Sequence, residues 1–375
     1  MDVSPPKYTH ETAEWPYFRW DHATFSERLA AIHFRRGRLI TTMATLGFEA
    51  RQETMLSTLV QDVLKSSEIE GENLDAAQVR SSIARRLGID VAGLPEADRY
   101  VDGVVEMTLD ATQRFDAPLD AERIFGWHAA LFPTGRSGMF KIVVGAWRDD
   151  ANGPMQVVSG PMGKEKVHFE APAAGRLEAE MDRFLHWFET ASIDPVLRAA
   201  IAHLWFVTIH PLDDGNGRVG RAIMDMALAR ADGRPQRFYS MSAQIRKERN
   251  GYYDILEKTQ KGAMDVTPWV QWFLGCLDKA LISAEGVLDT VRAKQAFWDE
   301  HRDDGLNERQ TKILNLLFEG FHGKLQTGKY AKIAKCSVPT AFRDLADLLA
   351  RGILLHEEGG GRNTSYRFPA LEANL

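Results

Sequence analysis

The most constraining feature of the chain is a helical segment that is apolar almost all the way round. It covers residues 195–209 and ends in AHLWFVTI, Ala202 to Ile209. A helix without a polar face is buried on all sides, so this segment predicts the central helix of a mainly α-helical core. His203 within it is expected to be a core histidine with its hydrogen bonds satisfied. The segment delivers His210 to the loop that follows.

That loop is glycine-rich and reads HPLDDGNGRVGR over residues 210–221. The next ten residues, AIMDMALARA, favour a helix, so Arg218 and Arg221 fall in or near its first turn, three apart and on one face. Cations at this end oppose the helix dipole, which costs roughly 0.3–1 kcal/mol each at exposed sites. A bound polyphosphate would offset this cost, because two guanidinium groups and the free N–H groups of a Gly-Asn-Gly turn all bind phosphate.

Two more side chains of the loop have the chemistry of phosphate transfer. Asp214 lies beside the expected anion and can hold Mg²⁺, which prefers carboxylate and phosphate oxygens. His210, four residues upstream, can take a proton from an incoming hydroxyl. A solvated turn is the simpler alternative for the acidic run. A calcium loop does not fit, because Gly215 would occupy its third ligand position and no glutamate closes the loop.

The loop resembles the motif of the Fic family of protein AMP-transferases, His-x-Phe-x-(Asp/Glu)-Gly-Asn-Gly-Arg-x-x-Arg. Every position matches except Leu212, where the family usually has phenylalanine. The resemblance implies transfer of AMP from ATP to a Ser, Thr or Tyr hydroxyl of a target protein or of the enzyme itself, with Mg²⁺ or Mn²⁺ as cofactor. His210 would be the catalytic base and Asp214 the metal ligand. The ATP-binding residues implied in the loop are Asp214, Gly215, Asn216, Gly217, Arg218, Val219, Gly220 and Arg221.

A second segment, KSSEIEGE over residues 65–72, matches the family's inhibitory pattern (Ser/Thr)-x-x-x-Glu-(Gly/Asn) with Ser66, Glu70 and Gly71. Ser66 and Glu70 are one helical turn apart. In the family this glutamate reaches the last arginine of the motif, here Arg221, and blocks productive placement of the ATP γ-phosphate. The resemblance therefore implies autoinhibition, while an ordinary acidic helix end is the alternative. The same glutamate could instead align water to remove AMP from a modified protein, as in some relatives.

Residues 139–160 carry two short β-prone runs, Ile142–Val144 and Gln156–Val158, around an Asp-Asp-Ala-Asn-Gly-Pro turn. An edge hairpin in a helical chain offers unpaired backbone groups to an extended peptide. The resemblance implies a flap that registers the target segment above the nucleotide, and the alternative is a hairpin that only covers the core. The flap residues expected nearest ATP are Val158, Ser159 and Gly160.

A helix is predicted to start near Asn250, and Tyr253 and Gln260 would share one of its faces. In the family this helix borders the adenine, with an aromatic ring packed on the base and a carboxamide at its edge. The resemblance thus assigns Tyr252, Tyr253 and Gln260 to the adenine pocket. Core packing is the alternative for tyrosines at helical spacing.

The carboxy-terminal block, residues 300–375, resembles a winged helix-turn-helix. Between Arg309 and Gly352 it has 8 Lys or Arg against 3 Asp or Glu. A basic helical domain can contact DNA through residues 306–368, with Thr340 and Arg343 as candidates, or it can be a protein contact module. The alternative function is therefore a DNA-binding regulator with the Fic core as nucleotide sensor. The predicted elements are helices 307–320, 329–335 and 339–351, then strands 352–355 and 365–368 that flank a glycine-rich tip at 359–363.

Length and pattern indicate three blocks in the 375 residues: an N-terminal helical domain (1–60), the Fic core with its inhibitory motif at 66–71 (61–285), and the winged helix (300–375). The first block begins with an aromatic segment and continues as a helical pattern from about Thr24 into Leu64. The core is mainly helical by pattern. Its predicted helices are 75–86, 99–114, 120–131, 174–190, 195–209, 218–231, 251–261 and 267–285.

The composition restricts the cellular compartment and the binding partners that we expect for the chain. The net charge of -6 argues against nonspecific nucleic-acid binding by the whole chain, and hydrophobic content of 44% is a globular value. Cys276 and Cys336 are too few and too far apart in sequence for a disulfide framework or a zinc site. No signal peptide or membrane-spanning run is recognisable. We expect a cytoplasmic protein without a membrane partner, and the sequence leaves a homodimer open.

Overall fold

The computed structural model describes residues 6–89, 95–151, 153–161, 164–318, 324–357 and 365–369. The chain divides into two compact units, Met1–Ala284 and Glu285–Leu375. The fold is mainly α-helical, as the sequence predicts. Helices up to the unit boundary are α1 (Ser26–Ala44), α2 (Phe48–Ile69), α3 (Ala76–Arg86), α4 (Arg99–Gln113), α5 (Ala121–Leu131), α6 (Leu177–Thr190), α7 (Pro195–Ile209), α8 (Asn216–Asp232), α9 (Met241–Lys247) and α10 (Arg249–Gln260). Helix α11 (Thr267–Glu300) runs across the boundary.

The amino-terminal block differs in two ways from its predicted form. The single helical pattern expected from Thr24 into Leu64 is two helices, α1 and α2, because Gly47 adopts an extended ψ of 158° and caps the start of α2. Helix α2 then continues to Ile69, through the predicted domain boundary at residue 60. The division of the first unit into two domains stays a prediction.

Helix α7 spans the predicted residues and forms the centre of the first unit. Its start is fixed by Asp194, whose carboxylate accepts hydrogen bonds from the N–H groups of Val196 (2.8 Å) and Leu197 (3.3 Å). Helix α8 packs along it, and from α11 the indole of Trp269 donates to the Ala200 carbonyl at 2.8 Å. Packing on all sides explains why α7 has no polar face.

His203 is a core residue, as predicted, but its Nδ1 has no hydrogen-bond partner in the described part of the chain, so the expected hydrogen bonding is only half satisfied. Its side chain is 1% exposed, and its Nε2 lies 2.8 Å from the Tyr252 hydroxyl. Its ring also stacks on Trp269 with centroids 5.9 Å apart. Burial lowers the pKa of His203 to about 4, so the imidazole is neutral at physiological pH.

The first unit contains short antiparallel strand pairs, β1 (Arg136–Ser137) with β2 (Phe140–Lys141) and β3 (Gln156–Ser159) with β4 (Lys166–Glu170). The prediction of strand Gln156–Val158 is confirmed, but the prediction of strand Ile142–Val144 is wrong. The N–H of Val143 donates to the Asp213 carboxylate at 2.7 Å and therefore has no strand partner. The partner of β3 is β4, which the sequence reading missed.

A buried charge cluster joins α2 to α8. Arg237 lies 2.7 Å from Asp225 on α8 and 3.2 Å from Asp62 on α2, and all three side chains are buried. Burial raises the pKa of Asp62 to about 7 and also raises the pKa of Asp225. Arg237 opposes both shifts, so it is the group that allows two acids to share this interior site.

The second unit contains a helix, a strand, two helices and two strands in chain order. They are α12 (Glu308–Phe318), β5 (Leu325–Gln326), α13 (Thr327–Ile333), α14 (Val338–Ala350), β6 (Leu355–His356) and β7 (Ser365–Arg367), with β7 between the other two strands. Arg343 is exposed on α14, whereas Thr340 is half-buried beside the capping Ser337. The glycine-rich tip at 359–363 lies outside the described residues. The winged helix and its contact with DNA stay predictions.

None of the helices in the described part of the chain combines the length and the apolar character that crossing a bilayer requires.

We predict that Arg237→Met lowers the free energy of unfolding by about 3–5 kcal/mol at pH 8, because it leaves two buried carboxylates without their cation. The loss should shrink as pH falls to 5, since both acids bind protons more tightly when folded than when unfolded. Urea unfolding at the two pH values measures this effect. Arg114→Met is the control, because its side chain is 70% exposed and pairs with Asp110 at the surface; equal losses in the two variants would contradict the prediction.

Candidate active site

The candidate catalytic loop, residues 210–221, begins where α7 ends. Its first residue, His210, has unusual backbone geometry. His210 has φ 52° and ψ 57°, in the left-handed region that a non-glycine residue adopts only when neighbours hold it there. Arg148 supplies that hold. Its Nε donates to the His210 carbonyl at 2.8 Å, and its backbone N–H donates to the Pro211 carbonyl at 2.9 Å.

Arg148 is itself fixed on all sides. Its Nη1 lies 2.9 Å from Asp150, its Nη2 donates to the Pro172 carbonyl at 2.5 Å, and the residue is 3% exposed. No local pattern marked this arginine in the sequence. The structure alone places it under the catalytic loop, 62 residues before His210 in the chain.

Asn216 gives the loop its shape. Its side-chain oxygen accepts from the Leu212 N–H at 2.9 Å, and its side-chain nitrogen donates to the Leu212 carbonyl at 2.7 Å. Leu212 is fully buried, so it anchors the loop at the position where phenylalanine is usual. Both polar atoms of the Asn216 carboxamide therefore face the loop backbone, and the contact with ATP predicted for this residue stays a prediction.

Gly215 and Asn216 form the start of α8. Gly215 has φ +79°, a conformation that favours glycine, and a Cβ there would come within 3.0 Å of the Phe132 ring. Val219 and Gly220, also predicted to bind ATP, lie in the helix and are buried. A Cβ on Gly220 would come within 2.9 Å of Val207 on α7. Gly220 thus allows the close contact of α7 with α8, and the role of Val219 and Gly220 in ATP binding stays a prediction.

The two arginines of the motif are buried in the first turns of α8, and Arg221 meets the end of α2. Its Nε donates to the Ser66 hydroxyl and its Nη2 to the Ser66 carbonyl, both at 2.9 Å. Its Nη1 lies 2.7 Å from Glu70 Oε1. Segments more than 140 residues apart in sequence thus meet with the residue pairing that the resemblance implies.

Glu70 also covers the amino-terminal end of α8. A Cβ built on Gly217 would lie only 2.1 Å from Glu70 Oε1, so this carboxylate fits because position 217 has no side chain. The first-turn N–H groups of a helix have no partner within the helix and attract anions. Glu70 therefore lies against the first turn of α8, next to Arg221.

Arg218 has a carboxylate partner that the sequence analysis did not single out. Its Nη1 donates to Glu72 Oε2 at 2.7 Å and to the Tyr100 hydroxyl, and that hydroxyl also donates to Glu72. The guanidinium lies 5.1 Å from the centre of the Phe132 ring. Glu72 could have been found from the sequence, because it lies only two residues beyond Glu70. No local pattern marked Tyr100.

The imidazole of His210 is oriented by one carbonyl. Its Nδ1 lies 3.2 Å from the Val207 oxygen, which assigns the proton to Nδ1 and leaves Nε2 as an acceptor. Burial lowers the pKa of His210, and the positive charge of Arg148 lowers it further. Gln260, a residue predicted for the adenine pocket, donates to the same Val207 carbonyl at 3.4 Å.

The other residues predicted for the adenine pocket lie near α2. Tyr252 is buried and its hydroxyl pairs with His203. Tyr253 is 36% exposed, and its hydroxyl donates to the Ile69 carbonyl at 3.2 Å. Tyr253 is thus the more accessible of the two rings, and adenine binding stays a prediction for both tyrosines and for Gln260.

Asp214 is part of the loop at residues 210–221, and both of its carboxylate oxygens accept hydrogen bonds. Oδ1 accepts from the Gly215 N–H at 2.6 Å, and Oδ2 accepts from the Ser137 hydroxyl. No cluster of three or more His, Cys, Asp or Glu side chains suited to a metal occurs in the described ranges. One carboxylate still fits Mg²⁺, because this ion usually takes most of its ligands from substrate phosphates and water.

The flap residues lie at the end of β3. Val158, Ser159 and Gly160 are exposed, with Val158 at 47%. Gly160 has φ +106°, which turns the chain away from the strand. The exposed edge agrees with a surface for an extended peptide, and the docking of a target there stays a prediction.

Comparison with known proteins agrees with this geometry. Residues 118–228, which contain the whole glycine-rich loop, match the model of the Fic/DOC family. The chain contains a Fic/DOC family domain. Residues 8–89, which include Ser66 and Glu70, match a second family, a domain of unknown function named DUF4172.

The curated relatives of this chain include insect proteins named protein adenylyltransferase Fic. The chain is 29% identical to the one from Drosophila grimshawi over 233 residues, which are 59% of this chain and 42% of that protein. It is 28% identical to the one from Drosophila yakuba over 267 residues, 68% of this chain and 45% of that protein. The chain thus spans less than half the length of these relatives.

Among solved structures, a Fic domain-containing signaling protein from Bacteroides thetaiotaomicron shares the fold. The alignment has a TM-score of 0.50 and 18% sequence identity, and it covers 69% of this chain and 97% of the other.

We predict that His210 protonates at a lower pH than the imidazole of a model peptide, because burial disfavours its charged form. An NMR titration of histidine ring protons, assigned with His210→Asn and His203→Asn, measures this directly. His203, whose pKa is lowered to about 4, is the internal comparison. A His210 titration at or above the model-peptide value would contradict the prediction.

Proposed function

We propose that the chain is an autoinhibited protein adenylyltransferase that transfers AMP from ATP to a Ser, Thr or Tyr hydroxyl of a target protein. One observation carries the proposal. Two buried arginines in the first turns of α8 are each held by a carboxylate of the same chain, Arg221 by Glu70 and Arg218 by Glu72. Such a site is built for a polyanion, and the carboxylates occupy it in place of one.

The free donors of the site support phosphate as the natural ligand. Arg218 Nε is buried and has no hydrogen-bond partner in the part of the chain that the structure describes. An unpaired buried donor costs roughly 1–3 kcal/mol, which a phosphate oxygen would recover. With Glu70 and Glu72 displaced, Arg218 and Arg221 would bind the β- and γ-phosphates, and the first-turn N–H groups of α8 would bind the α-phosphate.

His210 has the arrangement of a general base. Its Nδ1 donates to the Val207 carbonyl, so its Nε2 can accept the proton of a target hydroxyl. The hydroxyl oxygen then attacks the α-phosphorus, and pyrophosphate leaves. Arg148 holds the histidine backbone while this occurs, and the lowered pKa of His210 keeps the imidazole neutral and ready to accept a proton.

Asp214 is the residue that would hold Mg²⁺. The ion, when bound, would neutralise negative charge on the phosphate oxygens. Ser137 donates to the same carboxylate and so fixes its orientation towards the loop.

We predict that Glu70→Gly raises AMP transfer by roughly 10- to 100-fold, because a hydrogen bond to a charged group is worth about 1.5–3 kcal/mol and ATP no longer competes with it. Glu72→Gln should raise transfer less, up to about 5-fold, because the amide oxygen of glutamine can still accept hydrogen bonds from Arg218 and Tyr100. Label from α-³²P-ATP on protein, measured over a range of ATP concentrations, gives both values.

Glu68→Gln is the matched control for these variants. Glu68 lies on the same turn of α2, but it pairs with Lys65 at 2.5 Å and with Arg246 at 3.4 Å, outside the α8 site. If Glu70→Gly behaved like Glu68→Gln, autoinhibition by Glu70 would be ruled out. If AMP were lost from a pre-labelled protein only when Glu70 is present, the result would instead support a removal activity.

We predict that His210→Ala keeps its affinity for ATP within about 2-fold but loses roughly 10²- to 10⁴-fold in AMP transfer, since a general base contributes that factor. The variant is made in the Glu70→Gly background, so that inhibition does not mask the loss. Calorimetry measures ATP binding and label transfer measures catalysis. Full transfer by this variant would reject His210 as the base.

A further inference from the structure

Three side chains, one on the flap, one on β4 and one on α10, are linked by hydrogen bonds outside the loop at residues 210–221. Ser159 Oγ lies 2.6 Å from His168 Nε2, and His168 Nδ1 lies 2.6 Å from Glu257 Oε2. Ser159 ends β3 and His168 lies in β4, where Ser159 pairs with Lys166. Residues two apart across an antiparallel pair share a face of the sheet, so the serine and the histidine meet diagonally.

The charge of Glu257 indicates which atom donates and which atom accepts in each of these hydrogen bonds. Lys261 and His168 donate to Glu257 and lower its pKa to about 2, so this group is an ionised acceptor. The Nδ1 of His168 therefore carries the proton, and Nε2 can accept from the Ser159 hydroxyl. A carboxylate, an imidazole and a serine linked in this order make the serine oxygen a stronger nucleophile.

Helix α10 connects these three side chains to the proposed adenylyltransferase site. Glu257 is on α10, four residues after Tyr253 and three before Gln260, so the three residues share one face of the helix. The Tyr253 hydroxyl donates to Ile69, next to Glu70, and Gln260 donates to the carbonyl that orients His210. Ser159 is exposed, and Gly160 turns the chain away directly after it.

We propose that Ser159 is an acceptor of AMP in its own chain and that His168 is the base for this reaction. The inference rests on the proposed function, because it takes ATP in that site as the AMP donor. The Ser159 oxygen forms a bond to the α-phosphorus, and the bond from that phosphorus to the bridging oxygen breaks. Pyrophosphate leaves, and the serine proton passes to His168 Nε2, where the Glu257 carboxylate balances the new charge.

The test uses the full chain in the Glu70→Gly background, incubated with ATP and Mg²⁺. Intact mass gives the number of AMP groups, peptide mapping locates them, and pyrophosphate release counts all transfers. Ser159→Ala should lose AMP from the peptide that contains position 159, and Ser159→Thr should keep it. His168→Gln should slow labelling at Ser159 by about 100-fold or more. His186→Gln, an exposed histidine on α6, is the matched control and should not slow it.

The outcomes separate this inference from the proposed function. AMP on other hydroxyls with none on Ser159 would overturn the inference and leave the adenylyltransferase standing. Equal labelling of Ser159 in His168→Gln and His186→Gln would overturn the role of His168 as base. Absence of both label and pyrophosphate, with ATP bound, would overturn the proposed function and this inference together.

Discussion

The buried charge of Arg221 is the constraint on which the site depends. A guanidinium that is 1% exposed, near the positive end of a helix, is in the least favourable place that a helix offers a cation. Ser66 and Glu70 match it with two hydrogen bonds and an ion pair. Any ligand that displaces Glu70 must therefore supply an anion of its own to this arginine, since leaving the charge unmatched costs several kcal/mol. That requirement selects for ligands with a terminal phosphate or carboxylate and excludes neutral ones.

The sequence predicts best those parts of the molecule that are determined by residues close together in the chain. Helix α7 has no polar face, and the loop after it carries its base, its glycines and its arginines within twelve consecutive residues. Burial on all sides and anion binding at a helix start follow from such spacing without knowledge of the rest of the fold. The inhibitory segment was found for a different reason: its pattern resembled a known family, and the contact of Glu70 with Arg221 agrees with that resemblance.

The parts that sequence does not predict depend on partners far away in the chain. Arg148 stands in no motif, and its role exists only because the loop at His210 lies above it. The run Ile142–Val144 has strand propensity, but the Asp213 carboxylate takes the N–H of Val143. Asn216 has the side chain of a phosphate ligand, yet the backbone of Leu212 binds both of its polar atoms. In the last two cases a tertiary hydrogen bond outweighs a preference that is local in origin.

Helix α10 brings three remote parts of the first unit onto one rigid support. Over residues 253–260 it contacts the end of α2 through Tyr253, β4 through Glu257 and the Val207 carbonyl next to His210 through Gln260. All three contacts lie within residues 253–260 of this twelve-residue helix, so segments that are far apart in the chain are bound to one short stretch. The position of α10 therefore bears on the end of α2, on β4 and on the backbone at Val207 together.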